Sequence, residues 1–97
     1  MFFVYILHSA SSGKTYTGFT INVERRLEEH NIAESSGFTL RYRPWTLIHT
    51  EPFEKKAEAM KREKYLKTGK GREEIKRIIQ NYLDNLSVRY PPQAEKD

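Results

Sequence analysis

Five polar side chains in this sequence have the residue types that hydrolysis of a phosphodiester requires. Such a reaction needs a base that takes a proton from water, a cation that stabilises developing negative charge, and a carboxylate that holds a metal ion. Each of the five lies on or beside a face that the sequence pattern predicts to be buried, where a polar group without a partner costs free energy. They are Tyr5, Tyr16, Arg26, His30 and Glu63.

Each of these side chains also has an ordinary structural interpretation. The two tyrosines can be amphipathic strand residues with their rings in the core and their hydroxyls at its rim. Arg26 can lay its stem along an apolar face with its head in water, and His30 can complement the dipole at a helix C-terminus. Glu63 can pair with Lys67 one helical turn later. The combination of the five residues, rather than any one of them, favours a catalytic role.

A predicted β-hairpin positions the two tyrosines. The apolar run Phe2 to Leu7 and the β-branched and aromatic run Thr15 to Thr20 flank a Ser/Gly-rich turn at residues 9–14. Because the first run is apolar on both faces, we expect it to be a central strand. We expect Tyr5 and Tyr16 to lie roughly opposite one another, which brings two phenols to one spot if they share a face.

The first predicted helix carries the arginine and the histidine. Asn22 is a suitable N-cap for a helix from Val23 to about Asn31. At 100° per residue, Arg26 and His30 fall beside the apolar stripe of this helix, whereas the acidic residues 28 and 29 point elsewhere.

The middle of the chain is predicted to contain a loop and a third strand. Residues 32–44 are interpreted as the loop, because Ser35-Ser36-Gly37 interrupts any periodicity. The alternation from Trp45 to Thr50 predicts the strand, and Pro52 is expected to end it.

A second helix, from residue 53 or 54 to Lys67, is predicted to carry the glutamate. Its apolar face is expected to contain Ala59, Met60 and Leu66, with Glu63 projecting between them. Residues 68–71 then separate it from a third helix, which is interpreted as core scaffold because six apolar residues recur at helical spacing. These six are Ile75, Ile78, Ile79, Tyr82, Leu83 and Leu86.

The length and composition indicate one small domain with an anionic partner. At 97 residues the chain has room for a single core, predicted here as residues 1–86, with a polar, disordered tail at 87–97. The absence of cysteine excludes disulfides, thiol nucleophiles and cysteine zinc sites. A net charge of +4 favours nucleic acid as the partner. No apolar run is long enough to span a bilayer, so a cytoplasmic protein without membrane contact is expected.

The order and spacing of these residues resemble the GIY-YIG nuclease superfamily, and most closely its small single-domain bacterial members. Taken separately the tyrosine motifs are degenerate, but in this order they are specific. Val4 and Thr17 depart from the usual residues of the two motifs, and Ile75 and Ile78 occupy positions where larger relatives carry an asparagine. The resemblance rests on Val4-Tyr5-Ile6, Tyr16-Thr17-Gly18, Arg26 with His30, and Glu63 in the segment Glu58 to Lys64.

The resemblance implies an α/β (α+β) fold with a three-stranded antiparallel sheet flanked by helices, in the order β-β-α-β-α-α. It also implies hydrolysis of DNA phosphodiesters with one divalent ion, Mg²⁺ or Mn²⁺, held by Glu63. Arg26 would stabilise charge on the scissile phosphate, and Tyr5 would be the general base, with His30 receiving or relaying its proton. Tyr16 would orient the nucleophile or the phosphate.

DNA binding by so small a domain is expected to be electrostatic and independent of sequence, as a monomer or weak oligomer. The alternative to a repair or DNA-processing endonuclease is a nucleic-acid-binding module with little or partner-dependent turnover. Docking of RNA or of an acidic protein is a third reading. The predicted contacts are Lys14, Arg41, Arg43, Lys67, Lys70 and Arg72, with Tyr42 as a stacking residue.

Overall fold

The fold, seen in a computed structural model that describes residues 1–33 and 37–89, is an antiparallel sheet covered by helices on both faces. The predicted class and element order are confirmed, with one short helix added in the segment interpreted as a loop. None of the described helices is long and apolar enough to cross a membrane. The elements are β1 (Phe2–His8), β2 (Thr15–Thr20), α1 (Val23–Glu28), a π-helical turn (Glu29–Ala33), α2 (Phe38–Arg41), β3 (Thr46–Phe53), α3 (Lys56–Leu66) and α4 (Gly69–Arg89).

The sheet has the order β2-β1-β3, so the apolar first strand is central, as predicted. Tyr5 and Tyr16, which were expected roughly opposite one another, are offset by two residues. Tyr5 lies opposite Gly18, and Tyr16 lies opposite Leu7. Because Tyr5 and Leu7 are two residues apart on one strand, both tyrosines still point to the same face of the sheet.

Alternation along β1 divides the core into two layers. Val4 and Ile6 pack with residues of α3 and α4 on one face of the sheet. Tyr5 and Leu7 pack on the other face with Trp45 and with residues of α1. The candidate base therefore belongs to the layer that α1 covers, whereas α3, which carries Glu63, belongs to the opposite layer.

Two boundaries differ from the sequence predictions around β3. Pro52 does not end the strand, which continues to Phe53. β3 is an edge strand that pairs with β1 alone, and an edge tolerates a residue that lacks an N–H donor. Within the predicted loop, residues 38–41 form a single helical turn, which the packing of Phe38 against Trp45 supports, with ring centroids 5.9 Å apart.

The two long helices also differ in detail. α4 begins at Gly69 rather than after Gly71, because the Thr68 hydroxyl accepts a hydrogen bond from the Gly71 N–H at 3.2 Å and caps the first turn. Met60 and Leu83 are 43% and 40% exposed, so their predicted core positions are wrong: the buried stripes are narrower than expected. α4 also runs to Arg89, and the remainder of the predicted tail, residues 90–97, lies outside the described residues.

Candidate active site

Tyr5 and His30 form a buried pair at the centre of the site. The Tyr5 hydroxyl lies 3.0 Å from Nε2 of His30, and the two residues are only 2% and 1% exposed. β1 places the tyrosine, and the π-helical turn that continues α1 places the histidine. Asn22 fixes the start of α1, because its side-chain oxygen accepts from the Arg25 N–H at 3.0 Å.

Tyr16 covers this pair from β2. Its ring centroid lies 4.6 Å from that of His30 and 6.1 Å from that of Tyr5, with the two phenol rings stacked at 29°. The ring of Tyr16 is half-buried, whereas Tyr5 is enclosed. The two phenols therefore meet at one spot, as expected, although they are not directly paired across the strands.

Gly18 leaves the space that the Tyr5 hydroxyl occupies. A Cβ atom at this position would lie 2.7 Å from the Tyr5 hydroxyl oxygen and 2.9 Å from Cζ of the same ring. No side chain fits there without movement, so the glycine of Tyr16-Thr17-Gly18 is a packing requirement of the opposite tyrosine. The motif contained this signal, but the expected register hid it.

Arg26 lies between Tyr5 and a carboxylate. Its Nη1 donates to Oε1 of Glu29 at 2.8 Å, which corrects the expectation that Glu29 points away from it. The hydrogen bond from Arg26 holds the pKa of Glu29 below its usual range. Burial raises the pKa of Tyr5 well above its ordinary value and Tyr16 adds to this effect, while the charge of Arg26 and its hydrogen bond to Tyr5 act in the opposite direction.

Glu63 is carried by α3 and influences Tyr5 through its charge. Its negative charge contributes to the raised pKa of Tyr5, as the smallest of the causes. The side chain is 20% exposed, and Oε2 accepts from Nζ of Lys67 at 2.8 Å. The ion pair with Lys67, which is the ordinary interpretation of this glutamate, is therefore present.

The donor set around Glu63 fits a hydrated divalent ion but not a fully protein-coordinated one. In the described part of the chain, no group of three or more His, Asp or Glu side chains could hold a metal. Mg²⁺ usually keeps several waters and binds through one or two carboxylates together with substrate phosphates. A single partly exposed carboxylate is compatible with that mode, and Glu63 would be the residue that holds the ion.

The predicted nucleic-acid contacts fall into two groups, of which the first surrounds α2. Nζ of Lys14 lies 5.6 Å above the ring of Tyr42, which packs edge-on against Phe38 with centroids 4.9 Å apart. Arg41 is exposed. Nε of Arg43 donates to the backbone carbonyl of His30 at 2.8 Å, so this arginine also holds the histidine segment in place.

The second group lies where α3 ends and α4 begins. Lys67, Lys70 and Arg72 are all exposed there. Lys67 and Arg72 line a cavity that also includes Tyr16. The structure therefore brings part of this group to the edge of the tyrosine cluster, which consists of Tyr5, Tyr16 and His30. The contact of all seven predicted residues with nucleic acid stays a prediction.

Two supporting residues carried no recognisable sequence signal. Asn31 donates to the Trp45 carbonyl at 3.0 Å and accepts from its N–H at 2.6 Å, which ties the histidine segment to the start of β3. Arg62 donates to both carboxylate oxygens of Glu51, at 2.7 and 2.9 Å, and also pairs with Glu74. It therefore joins α3, which carries Glu63, to β3 and α4.

Residues 1–77 match the family model described as the GIY-YIG catalytic domain. The chain is 45% identical over 67 residues to a UPF0213 protein of Halobacterium salinarum, covering 69% of this chain and 86% of that protein. It is 38% identical over 76 residues to one of Staphylococcus haemolyticus, covering 78% and 92% respectively. The solution NMR structure of a UPF0213 protein from Bacillus halodurans is 33% identical, with a TM-score of 0.46, over 77% of this chain and 82% of that chain.

Proposed function

The chain belongs to the GIY-YIG nuclease family, and on that premise we propose that it is a metal-dependent endonuclease that hydrolyses phosphodiester bonds in DNA. The observation that carries the proposal is the position of the Tyr5 hydroxyl, which lies 3.0 Å from Nε2 of His30, while the nearby charge of Arg26 favours its ionised form. A phenol, an imidazole and the influence of a guanidinium therefore combine at one hydroxyl, and this supports the proposed roles of base, proton acceptor and cation.

The Tyr5–His30 pair offers a route for the proton that the attacking water must lose. Because the pKa of Tyr5 is raised, the phenol is protonated at neutral pH and cannot act as a preformed base. As Tyr5 takes a proton from water, its own proton passes to Nε2 of His30, and the phenol never carries a full charge. This route requires Nε2 to be the unprotonated nitrogen of a neutral imidazole.

The remaining residues act on the phosphate. Arg26 stabilises the negative charge that develops on the phosphate oxygens, because a fixed cation in a partly enclosed site interacts with negative charge more strongly than a cation in water does. Tyr16 orients the water or the phosphate from its position above His30. When bound at Glu63, Mg²⁺ or Mn²⁺ supplies further positive charge to the same oxygens.

A nucleic-acid-binding module with little turnover is the second candidate, and one observation favours it. Lys67 neutralises Glu63 at 2.8 Å, and a carboxylate with a lysine partner attracts a metal ion less strongly. In that case the same surface would bind DNA, or RNA, and the tyrosine cluster would serve stability alone.

A cleavage assay separates the two candidates. Linear, nicked, flap, single-stranded and supercoiled DNA are incubated with the protein and Mg²⁺ or Mn²⁺, with a matched RNA as a further substrate. We expect metal-dependent cutting that falls by about 100-fold or more in Tyr5→Phe and in Glu63→Gln. Preference for flap or single-stranded DNA would favour a role in repair or in the processing of structured DNA.

Matched controls identify contaminants and folding defects. Tyr65→Phe and Glu58→Gln make the same chemical changes at exposed positions of α3, and both should cut like the wild type. Equal cutting by all five proteins would indicate a contaminating nuclease. Binding of DNA without cutting by any of them would favour the binding module.

A further inference from the structure

An open cavity of about 480 Å³ lies between β2 and the helices α3 and α4, beside the tyrosine cluster. Residues 15–17 of β2 form one wall, and the end of α3 with the first turns of α4 forms the other. Two residues connect it to the candidate active site. Tyr16 lines the cavity and stacks near His30, and Lys67 lines it and binds Glu63.

Three cations surround this cavity. Lys67 comes from the end of α3, while Arg72 and Lys76 lie four residues apart on α4 and so share a face of that helix. Arg72 and Lys76 form no ion pair with any carboxylate in the described part of the chain, in contrast to Lys67. Two exposed cations on one cavity wall are suited to a phosphate group.

The floor of the cavity is apolar. Leu66 and Ile75 are buried beneath it and Ile79 is half-buried at its side. A bare inorganic anion gains nothing from this aliphatic lining, whereas the sugar and base of a nucleotide cover the accessible part of Ile79. The combination of cations at the rim and aliphatic groups below therefore selects a nucleotide over a simple anion.

We propose that this cavity binds a nucleotide adjacent to the scissile phosphate, with its phosphate on Arg72 and Lys76 and its sugar and base against Ile79. The placement of this nucleotide next to the scissile phosphate rests on the proposed nuclease function. Binding of a nucleotide to the cavity does not depend on that function. Lys76 and Thr15 become substrate-contacting residues, in addition to the cations expected from the sequence.

Binding is tested with thymidine 3′,5′-bisphosphate in the absence of metal, by calorimetry and by amide chemical shifts of the labelled protein. We expect shifts at Thr15, Tyr16 and Ile79, and affinity at least tenfold higher than for inorganic phosphate. Arg72→Glu and Lys76→Glu should each weaken binding about tenfold, because they replace attraction by repulsion at the phosphate.

Arg77→Glu is the matched control, since it makes the same charge change on α4 at an exposed residue outside the cavity. It should change the affinity less than twofold. Equal weakening by all three variants would show a diffuse basic surface and overturn the proposal. Equal affinity for the bisphosphate and for inorganic phosphate would also overturn it. Thermal melting of each variant separates loss of binding from loss of fold.

The cleavage assay then distinguishes failure of this proposal from failure of the proposed function. If the protein cuts DNA, Arg72→Glu and Lys76→Glu should raise KM about tenfold and leave kcat within twofold. If KM is unchanged and DNA is cut normally, the proposal that the cavity binds a nucleotide is rejected, whereas the proposed nuclease function is retained. If the protein binds the bisphosphate but cuts no DNA, the proposed nucleotide binding is retained and the proposed nuclease function is rejected.

Discussion

The Tyr5 hydroxyl and Nε2 of His30 lie 3.0 Å apart, although 25 positions separate the two residues in the sequence. Both side chains are almost completely buried, one on the central strand and one in the π-helical turn after α1. A phenol enclosed in this way is protonated at neutral pH, so its role in any reaction depends on the imidazole beside it. We expect the same enclosure to make the protein sensitive to alkali.

We expect Tyr5 to reduce stability at high pH. Its pKa is raised in the native state, so its stabilising contribution is fully present below the unfolded value of about 10. That contribution is lost as the pH rises from about 10 toward the native pKa, at about 1.4 kcal/mol per pH unit for one proton. Urea unfolding at pH 8 to 11 should therefore show a shallower loss of the free energy of unfolding in Tyr5→Phe than in the wild type.

Tyr65→Phe is the control for the alkaline experiment. Tyr65 is 40% exposed, so Tyr65→Phe removes the same hydroxyl without touching the enclosed pair, and its unfolding curves should match those of the wild type. Identical slopes for Tyr5→Phe and the wild type would mean that Tyr5 ionises freely, and the enclosed pair would then be absent in solution.

Gly18→Ala is expected to destabilise the protein by about 1 to 3 kcal/mol, because the new methyl group would meet the Tyr5 hydroxyl at 2.7 Å. Tyr5→Phe removes that nearest atom, so the same substitution should cost less in the Tyr5→Phe background. Urea denaturation of the four proteins gives this coupling. Gly69→Ala, at a position with nothing within 4 Å, should be neutral or stabilising. Equal cost in both backgrounds would contradict a clash with the hydroxyl.

The hairpin and its faces were predictable because strand alternation and turn residues are local signals. The register was not, since it depends on where the hairpin closes. The turn spans residues 9–14, with Gly13 at a φ of +77° and its N–H bonded to the Ser9 carbonyl at 2.7 Å, so His8 pairs with Thr15. Direct pairing of Tyr5 with Tyr16 would need a tighter turn. The predicted register was therefore wrong because the length of the turn was not evident from the sequence.

Helix spacing predicted that Arg26 and His30 share one side of their helix, and the family resemblance placed Tyr5 with them. What holds the group together was not predictable. Asn31 and Arg62 act through partners 11 to 14 residues away, and polar residues of that kind leave no periodic pattern in a sequence. The roles of the grouped residues in a reaction stay predictions that the cleavage assay tests.

Arg62 is expected to stabilise the protein above pH 4 and to lose that effect in acid. It holds the pKa of Glu51 and of Glu74 below their usual range, and His49 also lies 2.8 Å from Glu51. The stabilisation is therefore present above the unfolded carboxyl pKa of about 4.3 and is lost as the pH falls through the lower native values.

Arg62→Met should cost about 1 to 3 kcal/mol at pH 7, because it leaves two carboxylates without their charged donor. The difference from the wild type should shrink as the pH is lowered from 5 to 3, measured by urea unfolding. Lys64→Met, an exposed residue of the same helix, should cost little at any pH. A difference that stays constant between pH 5 and 3 would show that packing of the arginine stem, rather than the ion pairs, is responsible.

If Arg26 contacts a phosphate as proposed, Glu29 competes with that phosphate for the guanidinium. Its Oε1 occupies the guanidinium at 2.8 Å, so a DNA phosphate must share or displace this carboxylate. We expect Glu29→Gln to bind DNA about two- to fivefold more tightly than the wild type in the absence of metal, with the gain decreasing at high salt. Glu28→Gln removes the same charge from the neighbouring exposed position and should have a smaller effect. Fluorescence anisotropy with labelled DNA measures both affinities. If the two variants gain equally, net charge alone controls binding and Arg26 does not contact the phosphate.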